Sequence, residues 1–131
     1  MKVLPLLGRI LFAFIFIMSG LTHAGGAGKE YAVAAGVPAA GFMVPLAGII
    51  SLVGGLSILL GFKAKIGAWL IVIFLIPVTI ALHNFWDVKD AMAAQMLMAM
   101  FMKNVSILGG ALLIAYFGAG PYSLDNRAKQ V

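Results

Sequence analysis

The sequence contains no cysteine. That removes disulfides, thiolate catalysis, iron–sulfur clusters and dithiol relays to quinones. It is also poor in charge. Asp, Glu, Lys and Arg make up 10% of its residues, against roughly 25% in a soluble domain. Acidic side chains are the scarcest, at 4 against 9 basic ones. The chain has no Gly-rich phosphate loop with a following lysine and no nucleophile–His–acid set. Its basic residues form no stripe interleaved with aromatics, so the charge is not a nucleic-acid footprint. A water-soluble fold, a thiol enzyme and a nucleic-acid-binding module are all excluded.

What is present is apolar surface. Of 131 residues, 63% are hydrophobic. With about 20 apolar residues per membrane span, the chain fits four spans in one transmembrane domain, residues 1–131. The apolar runs place them at about 3–22, 42–62, 66–82 and 99–118. The fold class is therefore all-α, an integral membrane four-helix bundle. Pro5 suits a first helical turn, where its missing N–H is harmless. Pro77 falls inside span three and predicts a kink. Ala47, Ser51 and Gly55 lie four apart, a small-residue face for close helix packing. The stretch "AMAAQMLMAMFM" before Lys103 is apolar too, so span four is expected to start upstream of that lysine. Whether it runs unbroken from Ala91 is open. A rival reading of the first span is a cleaved signal peptide: Lys2 and Arg9, an apolar core, then "THAGG".

The loops orient the bundle. Lys2, Arg9, Lys63, Lys65, Arg127 and Lys129 lie at the ends on one side. The loop at Lys29 and Glu30 is neutral, and Asp87, Lys89 and Asp90 are net acidic. The positive-inside rule puts both termini in the cytoplasm. Trp69 then sits near the inner interface and Trp86 near the outer one.

The few polar residues inside this pattern are the site candidates. "ALHNFWDVKD" closes span three and sets His83, Asn84 and Asp87 at its outer end. His83 reads as a helix-end cap, as a ligand-contacting or proton-transferring group, or as a metal ligand. His23 is the other imidazole, but no paired spacing makes a metal site, and none is assigned. Lys103 and Asn104 interrupt the apolar run Ala91–Gly118. A lysine at the bilayer centre costs about 2.5–3.5 kcal/mol. Lys103 must therefore snorkel, pair with an acid such as Asp87, or contact a ligand. Arg9, two turns into span one, is expected to pair with Asp125 just past span four. Met92, Met96 and Met100 share a helix face, which suits soft-metal ligation or simple gap filling.

The order "LGRILFAFIFIMSGLTH", "GGLSILLGFKAKIGAWLI", "LHNFWD" and "FMKNVSILGGALLIAYFGAGPYSLD" resembles the DoxX family of small four-span bacterial membrane proteins. The resemblance covers nearly the whole chain. Its specific parts are His83 to Asp87, Lys103–Asn104 followed by Gly109–Gly110, Ser123 to Asp125, and Arg9. It implies the bacterial inner membrane and a link to membrane redox systems, since the family is named for a subunit associated with quinol oxidation. Two departures stand out. Ser51 occupies the place of a family glutamate in span two, and Thr22-His23 that of a family lysine. The function expected from the resemblance is a quinone- or lipid-binding accessory subunit of a membrane oxidoreductase, with any bound redox carrier supplied by a partner subunit. It would not be catalytic alone. A non-catalytic scaffold or envelope-stress protein and a small transporter are the alternatives. Quinone is the cofactor class this admits. The bilayer is the assured partner, and homo-oligomerisation is open.

Overall fold

The computed structural model describes residues 1–128; Lys129, part of the charge pattern above, lies outside them. Its elements in chain order are α1 (Leu4–Ala24), α2 (Lys29–Ala34), α3 (Ala40–Leu60), α4 (Ala64–Leu82), a 3-10 turn (Phe85–Asp87), α5 (Ala91–Phe117) and α6 (Leu124–Arg127). No strand occurs among the described residues. α1, α3, α4 and α5 are long and apolar enough to cross a membrane. Four crossings would bring the start of α1 and the short α6 to the same side, which the positive-inside rule makes the cytoplasmic one.

Three of the spans lie within about two residues of the bounds read off the sequence; the start of the fourth and a short extra helix differ. The fourth span is one unbroken helix from Ala91 to Phe117, so Lys103 and Asn104 sit in its middle. Asp90 starts it by accepting the Ala93 N–H at 2.8 Å, which satisfies one of the donors that every helix start leaves open. A composition-based boundary at 99 missed this cap. α2 was not foreseen, because a helix of this length has no periodicity to read. α4 continues through Pro77.

Small residues let the spans approach closely. α1 packs on α3 where Gly20 meets Leu52, Gly48 meets the backbone of Ala24, and Gly55 meets Phe16. α3 packs on α4 where Gly54 meets Gly67 and Ile71. α4 packs on α5, and the 3-10 turn lies against α5 as well. Packing thus follows chain order and leaves α1 and α5 as the looser seam. The core is Ala13, Phe16, Ile58, Ala68, Ile71, Leu75 and Ala111. Most other large apolar side chains point outward, as lipid contact requires.

The α3–α4 turn is tight. Gly61 takes φ +63°, a left-handed conformation that side chains resist. Its Cα also faces Arg9, Ser123 and Ala119, leaving no room for a Cβ.

Candidate functional site

The outer half of the bundle holds an open-sided cavity of about 410 Å³. Each span contributes to it. α1 supplies Phe16, Ser19 and His23; α3 supplies Ala47; α4 supplies Phe74 and Val78; α5 supplies Met100, Lys103, Asn104 and Ile107. His83 enters from the end of α4, and Tyr31 and Ala32 from α2. The walls are apolar. The polar groups gather toward the outer end. They include a lysine and two histidines but no carboxylate.

Local hydrogen bonding fixes several of these groups. His23 Nδ1 lies 3.0 Å from Ser19 Oγ, one turn back on α1. Its other edge faces Gly28, where an added Cβ would lie 3.3 Å from the ring. Gly28 has φ +83° and opens α2. Tyr31 on α2 donates its hydroxyl to the Leu82 carbonyl at 3.1 Å. That carbonyl belongs to the last turn of α4 and has no partner within its own helix. Asn104 donates to Thr79 Oγ1 at 3.0 Å, a buried bond between α5 and α4. His83 Nδ1 is buried and has no hydrogen-bond partner. A buried polar atom without a partner is costly, and this one belongs to a cavity-lining residue.

Of the five pocket candidates, His83, Lys103 and Asn104 line the cavity. Asn84 and Asp87 do not. They close the 3-10 turn on themselves, Asn84 Nδ2 donating to Asp87 Oδ2 at 3.2 Å. The Lys103–Asp87 pairing is therefore corrected, since the carboxylate is taken up by its own turn. Sequence reading treated His23 as a second imidazole and, with Thr22, as a departure from the DoxX pattern, and passed over Ser19 and Tyr31. His23 and Ser19 are one helical turn apart, a signal available beforehand; Tyr31 depended on the unforeseen α2. Among the described residues no group of three or more His, Asp or Glu is placed to hold a metal ion.

Arg9 and Asp125 meet at the other end of the bundle, in one polar junction but without bonding each other. Arg9 is only 3% exposed and donates Nη2–H to the Tyr122 carbonyl at 2.6 Å. Its Nε and Nη1 have no partner. Asp125 instead accepts two backbone N–H groups, from Lys63 at 2.7 Å and Ala64 at 2.9 Å. The expected side-chain pair is thus replaced by three side-chain-to-backbone hydrogen bonds. The start of α4 offers unpaired N–H donors, and these hold the carboxylate.

The chain is 39% identical to the inner membrane protein YqjF of Escherichia coli (strain K12) over 124 residues, which cover 92% of this chain and 88% of that protein. It is 33% identical to the inner membrane protein YphA of the same organism over 128 residues, 95% of this chain and 90% of that one. It is 30% identical to the ER-derived vesicles protein ERV29 of Saccharomyces cerevisiae (strain ATCC 204508 / S288c) over 81 residues, 62% of this chain but 26% of that longer protein. No solved structure matches. Four apolar spans and the two inner membrane relatives make this a multi-pass inner membrane protein. The DoxX resemblance is overturned, and with it the redox-subunit function and the oxidoreductase partner. Much of what carried it serves packing: Arg9 and Asp125 tie the inner ends together, and Asn104 holds α5 to α4. The two departures, Ser51 and Thr22-His23, were the places where the chain parted from that pattern. Ser51 donates to the Phe16 carbonyl at 3.0 Å in a fully buried α1–α3 contact. The family model of the SURF4 family matches residues 1–131, and the chain belongs to that family.

Proposed function

We propose that this SURF4-family protein is a membrane receptor that binds an amphipathic anion in its outer-half cavity, without chemical conversion. The observation that carries this is the lining. Apolar walls from four spans surround a space within the range of small-molecule sites, roughly 300–1,000 Å³. Its polar groups include Lys103, His83 and His23, and no acid opposes them. In this reading the apolar body of the ligand lies against Phe16 and Phe74. The anionic head meets Lys103, with the unpartnered nitrogen of His83 as a second contact. Asn104 is held by Thr79 and positions the wall beside Lys103.

The test is photolabelling of the protein in neutral phosphatidylcholine vesicles with a diazirine-bearing alkyl carboxylate. Label should fall on cavity residues of α1 and α5. Lys103→Met should reduce it, and the matching alkyl alcohol should label less. Label spread over lipid-facing residues such as Leu11 and Phe117, indifferent to Lys103, would refute the reading.

A further inference from the structure

The walls of this cavity differ in how they are closed. On the outer side α2 forms a strap. It packs on α3, and its Tyr31 hydroxyl is bonded to the end of α4 at Leu82. Ala32 on α2 is buried. The strap therefore ties the outer ends of α3 and α4 together and covers the cavity from above. Below the cavity, α1 and α5 meet. A Cβ added to Gly110 would lie 3.1 Å from the Phe12 ring, and Ala13 and Ala111 are fully buried. That is the floor.

Between roof and floor, α1 and α5 part. Ile15 of α1 and Met100 of α5 both line the cavity, yet they are 41% and 40% exposed. Lys103 lines it and is exposed as well. Side chains that line a cavity and also face outward stand at its mouth. This mouth opens sideways, at the seam where neighbouring spans do not pack closely.

Resting on the cavity-binding reading above, we propose that the ligand is an amphiphile delivered by the outer leaflet, and that it enters laterally between α1 and α5. The chemistry favours this route over water. An alkyl chain sliding through the seam never leaves apolar surroundings, whereas passage through water would expose it. A lysine on a membrane-facing rim turns its ammonium toward the outer interface while its stem stays in the apolar zone. Lys103 is then placed at the mouth, where an anionic head arriving in the leaflet would meet it. Met43 and Pro77 are exposed lining residues on the α3–α4 side, so the cavity has a second opening there; the α2 strap ties the outer ends of α3 and α4 above it, and these two spans pack closely where α1 and α5 do not.

The absence of cysteine makes the test clean, because introduced thiols react alone. One variant carries Ile15→Cys with Ile107→Cys across the α1–α5 seam. A control carries Val44→Cys with Ala81→Cys across the α3–α4 side. Each is purified, placed in phosphatidylcholine vesicles, and compared with itself before and after closure by a short bis-maleimide. The readout is the rate at which the alkyl-carboxylate photoprobe, supplied in the bilayer, comes to label the cavity. Closing α1–α5 should slow loading severalfold, and closing α3–α4 should leave it unchanged. Probe loaded before closure should remain and label fully, which separates a shut seam from a filled cavity. An unchanged rate after closing α1–α5, or slowing by the α3–α4 link alone, overturns the lateral route while cavity binding stands. Absence of cavity label in the unlinked proteins defeats the binding reading itself, and the route with it.

Discussion

The carboxylate of Asp125 accepts the backbone N–H of Ala64 at 2.9 Å, across 61 positions of sequence. With the Lys63 N–H on its other oxygen, it caps α4 from outside the helix. The Asp125 N–H returns a bond to the Gly61 carbonyl at 2.8 Å. The segment after the last span thereby clamps the turn between the second and third. Asp125→Ala should lower stability by about 1–2 kcal/mol, the usual worth of a helix cap. Unfolding of the purified protein in mild detergent checks this, and an unshifted midpoint would show that the clamp contributes nothing.

Arg9→Met should be milder than Asp125→Ala. The change loses one charged hydrogen bond, to Tyr122, worth about 1.5–3 kcal/mol. It also removes two buried N–H groups that have no partner, each costing about 1–3 kcal/mol. These offset each other, while Asp125 keeps both of its backbone donors. The same detergent unfolding series ranks the two variants; the reverse order would mean that Arg9 neutralises Asp125 directly.

Glycines separate into contact and free positions. A Cβ at Gly20 would lie 2.7 Å from Leu52 Cβ and backbone nitrogen, whereas one at Gly109 meets nothing within 4 Å. Gly20→Ala should therefore push α1 off α3 and cost about 1–3 kcal/mol, the usual penalty for overpacking. Gly109→Ala should be neutral or stabilising by up to about 1 kcal/mol, as alanine is the better helix former. Equal effects at the two sites would contradict the α1–α3 crossing described here.

Thr79→Val should cost about 0.6–1.7 kcal/mol, the range for hydrogen bonds between membrane helices. It strands the Asn104 amide in a buried contact. Thr79→Val combined with Asn104→Leu should recover much of that loss, since removing both partners leaves no unpaired group. A double-mutant cycle measures the coupling, and additive losses would mean that the bond is not formed.

Composition alone determined the class of molecule. Charge this sparse, with apolar runs this long, leaves only a bundle of membrane helices, because backbone polar groups in lipid must be satisfied within each span. Loop charge set the orientation for a similarly local reason, and both can be read without knowing any contact. The same reasoning found His83, Lys103 and Asn104, since a polar group in an apolar run is conspicuous wherever it ends up. It could not tell their company. Asn84 and Asp87 sit beside His83 in sequence but turn onto each other, while His23, Ser19 and Tyr31 reach the cavity from other elements. Proximity of that kind depends on which faces of α1, α3, α4 and α5 meet, and on a short helix, α2, too brief to leave a periodic trace. Asp125 marks the same limit. An acid near a buried arginine predicts a salt bridge, but the open N–H groups at the start of α4 compete for it, and only the packed structure brings them within reach.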